Sequence, residues 1–575
     1  MSNSIVDAES VLAIDVGNIH TRAMLVDVVE GEYRFIASGE APSTANAPFK
    51  DIGEGVHRAI QNLQEIVGRN LFDAGNHLII PSQANGTGVD RMLVSYSVGA
   101  ELRIAVAGLL ADVSLESARH LANTTYCRIV EMTGLNDRRR SEALLDAILQ
   151  AQPDLMILAG GTENGASRSV FKMAEIIIML CRLLPQEKRP EVLYAGNQAL
   201  GKRIVDALEK WTPTHLAPNV RPSIDVEDLS AAQDVLANVV TKIRQQQIGG
   251  LDGLAQQVSS SPIPTANAFG RMITFLSKIY DPAKGVLGLD VGANATIIAA
   301  SVAGKLSLNV LPFGQGSGVT QFMQPDQQAE IAKWLPIQIA PEVLYDYLAQ
   351  KVTFPGSVPM NAETLAIEQA IARQVIRRAF QQTLARYPNL GTSFEPIMAS
   401  GAVLNLAPTP SQSLLMLLDG IQPTGVTTLV LDQNGILPGL GAIARINQIL
   451  PVQVLESGAF LNLGTVISPV SDARYGTPIL RVRLEYEGGN DTRMDIRQGS
   501  INVLPLQNGQ VARIHFQALR NVEITPGHPH DLESFKIVGG ACGAIIDARG
   551  RPVALPADAS RRREMLKKWS LILTS

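Results

Sequence analysis

Residues 11–21 read VLAIDVGNIHT and residues 286–296 read VLGLDVGANAT. Each copy is an apolar run, then Asp-x-Gly, then a threonine six positions after the aspartate. The apolar run suits a strand buried on both faces, and Asp-x-Gly suits a tight turn. A second apolar run follows in both (23–29 and 297–302), then a glycine turn at Gly31 or Gly304 and a third strand-like segment. Each copy therefore predicts a β-hairpin or meander built on an acidic glycine turn. Two further pairs occur in the same order. PDLMILAGGT (153–162) resembles EPIMASGAV (395–403), and EVLYAGN (191–197) resembles TTLVLDQNG (427–435). Helical patterns at 141–150, 169–184 and 363–385 lie between them. Three ordered pairs predict a duplication rather than a coincidence of β-turns.

The rest of the chain bounds the answer. Its 575 residues correspond to about three to four domain-sized units. Hydrophobic residues make up 46% and charged residues 18%, enough apolar surface for large cores and unlike a disordered chain. The 49 basic and 54 acidic side chains, net −5, argue against a protein that coats nucleic acid. Cys127, Cys181 and Cys542 are far apart and form no CxxC pair, which supports neither a disulfide scaffold nor a cysteine-type zinc site. The most apolar helical stretch, 170–184, carries Lys172, Glu175 and Arg182 and is too short to span a bilayer. The opening MSNSIVDAES has no basic or apolar region of a secretory signal. The expected setting is soluble, reducing and cytoplasmic.

Two βββαβα halves facing each other would leave a cleft, with strand ends and glycine turns pointing into it. Glycines let backbone N–H groups approach phosphate closely. A carboxylate at each turn suits Mg²⁺, which keeps several waters and takes one or two carboxylates plus phosphates. Asp15 and Asp290, one per half, are the expected Mg²⁺ ligands. Thr21 and Thr296 follow the turns, either as phosphate donors or as β-branched strand residues.

These hairpins look like the two phosphate motifs of the actin, sugar kinase and Hsp70 ATPase superfamily, and ASGAV (399–403) looks like its adenosine motif. The chain resembles more closely the MutL family associated with glutamate mutase, which is unrelated to the mismatch-repair protein of that name. The resemblance rests on SYSVGAELRIAVAGL (95–109), similar to that family's Ser-rich hairpin. DVSLESARHLA (112–122), LAGGTENG (158–165) and the run 399–432 extend it, over residues 10–450. It implies an α/β fold of two duplicated RNase H-like, actin-like ATPase halves around a nucleotide cleft, with ATP and Mg²⁺ as cofactors. It also implies a protein partner, such as a cobalamin-dependent mutase, served by reactivation or assembly. The halves are expected at 1–210 and 285–455, with a helical connector at 211–284. The chain departs from the family at Asn18-Ile19-His20-Thr21-Arg22, at Gly99-Ala100 and at Gly292-Ala293-Asn294, which bears on hydrolysis rate more than on fold. A small-molecule kinase, an actin-like polymer or scaffold, and a non-hydrolysing binding module are the alternatives. A homo-oligomer is compatible with each.

By the same resemblance, Gly17, Asn18, Thr21, Gly160, Gly161, Gly292, Asn294, Thr296, Ser400 and Gly401 would line the nucleotide. Glu163 would orient an attacking water, or it is a solvated loop acid. Phe313-Gly-Gln-Gly-Ser-Gly318 would line the nucleotide or serve as a hinge. Small residues in LPGLGAIARIN (437–447) suit close helix packing, or a plain short helix. His528 and His530 lie in a Pro-Gly loop that reads as surface rather than metal site. The clusters Arg138–Arg140 and Arg561–Arg563 read as solvated helix faces, or as a docking patch for an acidic partner.

From about residue 456 the pattern turns to short alternating apolar runs (479–485, 503–505, 511–516, 534–538, 544–546) separated by turns, then an amphipathic stretch at 557–573. This predicts a C-terminal all-β module, 456–575, with a closing helix and an interaction or assembly role.

Overall fold

The computed structural model describes residues 9–574, apart from 164, 166, 282, 488 and 525–533. His528 and His530 therefore lie outside the described residues. The chain forms two units. One comprises Met1–Arg271, Leu308–Pro312 and Pro438–Leu450; the other comprises Met272–Ser307, Phe313–Leu437 and Pro451–Ser575.

The first unit begins with the expected meander: β1 (Val11–Val16), β2 (His20–Val29) and β3 (Glu32–Pro42), paired antiparallel. Every β1 residue except Asp15 is buried, as the apolar run requires. Helix α1 (Gly53–Val67) follows, and Val56, Ala59, Ile60 and Leu63 recur at three-and-four spacing to form its buried face. That face joins Leu12, Ile14 and Leu25 in one core. Each valine, leucine or isoleucine among them contributes about 1.5–3 kcal/mol on full burial. β4 (Arg91–Tyr96) then returns parallel to β1.

After β4 the chain builds a second sheet before finishing the first. Strands β5 (Leu102–Gly108), β6 (Cys127–Gly134), β7 (Leu155–Ala159), β8 (Glu191–Tyr194) and β9 (Thr214–Leu216) are all parallel, in the order β6-β5-β7-β8-β9. β7 is buried along its whole length, as a strand covered by helices on both faces must be. Helices Glu116–Ala122 and α2 (Ser230–Gln247) pack on one face. Helices Ser141–Ala151, Arg168–Leu183 and Gln198–Leu208 pack on the other. Two residues, β10 (Ile263–Pro264), then rejoin the first sheet beside β4 and run into α3 (Thr265–Ile279). The first sheet is thus β10-β4-β1-β2-β3.

This corrects the expected strand pairs. PDLMILAGGT and EVLYAGN are β7 and β8 of the inserted parallel sheet, not the fourth and fifth strands of the first half. Those positions belong to Arg91–Tyr96 and Ile263–Pro264. Any parallel strand buried on both faces shows the same apolar run and glycine exit, so local pattern does not say which sheet it joins. The stretch 95–109, read as a hairpin, instead carries the chain from β4 into β5 of the other sheet. The expected connector 211–284 contains β9 and β10 as well as helices.

A second sheet repeats the order of the first: β11 (Val286–Val291), β12 (Thr296–Val302), β13 (Lys305–Leu311), β14 (Ile397–Ser400) and β15 (Gly425–Leu431), in the order β13-β12-β11-β14-β15. The antiparallel β11–β12 and parallel β11–β14 and β14–β15 pairings reproduce the RNase H-like arrangement. Helices α4 (Ala362–Arg386) and α5 (Pro410–Ile421) pack against each other beside it, with α4 opened by an Asn361–Thr364 capping box.

The C-terminal region supplies the expected β structure but does not stand apart. β16 (Leu461–Ser468) pairs antiparallel with β15. β17 (Pro478–Tyr486), β18 (Asp491–Arg497), β19 (Ile501–Leu504), β20 (Val511–Ala518), β21 (Phe535–Val538) and β22 (Ala544–Asp547) follow. β16, β22 and β19 lengthen the second sheet to eight strands, while β18-β17-β20-β21 form a separate antiparallel sheet. A buried ion network adds to the join. Arg549 donates to Asp419 Oδ1 of α5 at 2.6 Å and to Asp547 at 2.9 Å, and Arg373 of α4 donates to Asp419 Oδ2 at 2.7 Å. Trp569, on the closing helix α6 (Ala559–Thr574), covers the Arg549 guanidinium at 4.6 Å.

Candidate functional site

The two acidic hairpins share their hydrogen-bond pattern. Asp15 pairs with Arg22 and Val16 with Thr21; Asp290 pairs with Ile297 and Val291 with Thr296. The turn closes through Gly17 N–H to His20 O at 2.9 Å and through Gly292 N–H to Ala295 O at 3.0 Å. On the other side of each aspartate, the parallel neighbour is a serine: Ser95 of β4 beside Asp15, and Ser400 of β14 beside Asp290. The duplication therefore extends to a second strand that the Asp-x-Gly signal does not reveal.

Asp15 is half-buried. Ser95 Oγ and Thr265 Oγ1 donate to its Oδ1 at 2.7 and 2.8 Å. Burial pushes the carboxyl above its ordinary pKa, outweighing the two hydroxyls and the nearby Arg22 charge that favour ionisation. Asp15 is thus an acid held in a poorly solvated spot, with no ion pair on it among the described residues and only the nearby Arg22 charge, a state that a metal ion would relieve. Among the described residues, no three His, Cys, Asp or Glu side chains form a metal cage. A lone carboxylate beside hydroxyls fits hydrated Mg²⁺, which takes few protein ligands. Thr265 was not singled out in the sequence, since a Pro-Thr step after two strand residues carries little signal.

Thr21 and Thr296 are fully buried. Thr296 donates to the Phe313 carbonyl at 2.8 Å, while the Thr21 hydroxyl has no partner among the described residues. Both sit at the same register position of their hairpins, next to the turn.

On the second hairpin the glycine-rich run packs its backbone onto the turn. Gln315 N–H donates to Gly292 O at 2.9 Å, and Gly316 and Gly318 N–H donate to Ala293 O at 2.8 and 3.1 Å. Ser317 Oγ donates to Asn294 Oδ1. A Cβ at Gly314 would lie 2.2 Å from Gly292 O, so only glycine lets the loop come this close. The loop braces the turn, and these three N–H groups are already used. Ser400 is buried, and Gly401 follows it with φ +122°, its Cα against the Val291 backbone. In the first hairpin Asn18 presents its carbonyl to Asn46 Nδ2 at 3.3 Å.

Gly160, Gly161 and Glu163 fall at the end of β7 in the inserted sheet. Glu163 accepts from Asn219 Nδ2 at 2.7 Å and from Gln198 N–H at 3.3 Å, at the start of helix Gln198–Leu208. These partners come from a helix start and a loop of the inserted sheet. Residues 438–450 fold with the first unit, where Gly439 lies against Ala13 and Met24. A Cβ at Gly439 would come within 3.0 Å of Ala13 Cβ, so this position keeps the chain close to β1. No helix among the described residues is long and apolar enough to cross a membrane.

Among solved structures, similar ones include a nucleotide-free acetone carboxylase (11% identity, 85% of this chain and 81% of that chain, TM-score 0.32). A nucleotide-free diol dehydratase-reactivating factor matches at 11% identity over 78% of this chain and 99% of that one, TM-score 0.31. A gluconate kinase from Lactobacillus acidophilus matches at 11% identity over 78% and 92%, TM-score 0.30. Among curated proteins, none matches this chain. The family described as MutL protein matches residues 11–458, more than half of the sequence and the span that holds both hairpins. With that match and the duplicated RNase H-like sheets, the chain belongs to the MutL protein family.

Proposed function

We propose that this protein binds ATP with Mg²⁺ through its two acidic hairpins and uses the nucleotide to act on a partner enzyme. The observation that carries the reading is the repeated pair of in-register residues, Asp15 beside Ser95 and Asp290 beside Ser400, each at an Asp-x-Gly turn. Mg²⁺, when bound, neutralises charge on the phosphates. In this reading Asp15 and Asp290 hold it or its water shell, and the turn residues Gly17, Asn18, Gly292 and Asn294 are the candidates for contact with the phosphates. Ser400 and Gly401 are the candidates for contact with the nucleoside. Any hydrolysis is expected to be slow, since the turns at Asn18–Arg22 and Gly292–Asn294 depart from the family pattern. Family membership favours a partner of the cobalamin-dependent mutase type, such as glutamate mutase, with reactivation or chaperoning as the task.

Calorimetry with ATP and Mg²⁺ tests the reading. Asp15→Ala and Asp290→Ala are each expected to weaken Mg-ATP binding by about tenfold or more, the scale of one charged contact. Wild-type affinity in both variants removes the assigned roles. A pull-down with and without ATP, read by mass spectrometry, tests the partner class.

A further inference from the structure

The hydrogen bonds on Asp15 are unevenly spread. Both donors, Ser95 and Thr265, point at Oδ1. Oδ2 has no protein partner among the described residues. Ser95 is 1% exposed and Thr265 is 4% exposed, so neither hydroxyl has solvent as an alternative. The nearest other acceptor for Ser95 is Ile14 O, at a longer 3.4 Å. A carboxylate kept only for packing would be satisfied on both oxygens. Here one oxygen is saturated and the other left open on a half-buried residue.

The two donors come from different elements. Ser95 is fixed by its register on β4, and Thr265 by its place as the first residue of α3. A carboxylate otherwise turns about a soft torsion. Two donors on one oxygen, from a strand and a helix start, set its plane. The second half keeps the serine but not the threonine. There β15 is followed by Asp432, which accepts from Ile436 and Leu437 N–H at 2.9 and 2.8 Å.

We infer that Ser95 and Thr265 are positioning residues that lock Oδ1 of Asp15 and thereby present Oδ2 to a divalent cation or its bound water. This rests on the Mg²⁺ reading above.

The test uses the full chain and Mn²⁺ as probe, followed by electron paramagnetic resonance without nucleotide, with ATP affinity in excess chelator measured alongside. Ser95→Ala and Thr265→Val are each expected to weaken Mn²⁺ binding about tenfold, the scale of a hydrogen bond to a charged group, with ATP affinity in chelator unchanged. Thr265→Ser, which keeps the hydroxyl, is expected to bind Mn²⁺ nearly as wild type. Variants with wild-type Mn²⁺ affinity overturn the inference, as does a Thr265→Ser protein as weak as Thr265→Val. If Thr265→Val does not fold, Ser95→Ala decides. Wild-type protein that takes Mn²⁺ but no ATP sinks the nucleotide reading while leaving these arms valid. Wild-type protein that takes neither sinks both.

Discussion

At the scale of single residues, equivalent positions in the two hairpins have different hydrogen-bond balances. Thr21 and Thr296 occupy the same register position, yet among the described residues only Thr296 has a partner for its hydroxyl. Thr296→Val should cost about 1–3 kcal/mol, because it strips the Phe313 carbonyl of its donor. Thr21→Val should be neutral or stabilising, since a buried hydroxyl without a partner carries only its desolvation cost. Urea unfolding of the two variants measures both. A Thr21→Val protein that folds well but loses nucleotide affinity would assign Thr21 the phosphate-donor role; one with wild-type affinity would leave it a strand residue. The Asp-x-Gly turn itself was legible because turn chemistry is local. Ser95 and Thr265 were not, because their relation to Asp15 exists only after β4 and α3 are in place.

At the scale of elements, the second hairpin is held by a chain of contacts. The glycine-rich loop braces the turn, and Gln315 Nε2 donates to Glu368 O of α4 at 2.8 Å. Glu368 pairs with Lys351 at 2.9 Å and accepts from Tyr347 at 2.5 Å, all within the interior. Burial and the Glu368 carboxylate push the Tyr347 phenol up, so it stays a donor. Lys351→Met should cost about 3–5 kcal/mol, because it leaves Glu368 buried without its cation. Lys351→Met combined with Glu368→Gln should recover part of that loss. Denaturant melts of the single and double variants decide it. An additive double variant would show that the pair is not coupled.

At the scale of the whole chain, the C-terminal residues belong to the second sheet. Arg549 holds Asp419 and Asp547 together and has no exposure to solvent along its side chain. Burial raises the Asp547 carboxyl, but the charges of Arg549 and Arg551 outweigh it and hold it well below the ordinary carboxylate range. A depressed folded pKa contributes stability above the unfolded value, near 3.9, and loses it as pH falls through the folded value. Thermal stability should therefore drop as the solution is acidified below about pH 4. Arg549→Met should lose about 3–5 kcal/mol at neutral pH and show a shallower acid decline. Scanning calorimetry across pH reads both, and an unchanged acid slope in the variant would count against the network.

By itself the sequence determined what depends on neighbours along the chain. Both acidic hairpins, both meanders, the helical stretches and the β character of the last 120 residues follow from alternation, apolar runs and turn residues. Tertiary structure alone decided which sheet each buried strand enters. β7 and β8 carry the same local pattern as β14 and β15, and only long-range pairing sends one set into an inserted parallel sheet and the other beside β11. It also decided that Asp15 meets a hydroxyl 250 positions away, because a hydrogen bond depends on distance in space, which separation along the chain does not encode.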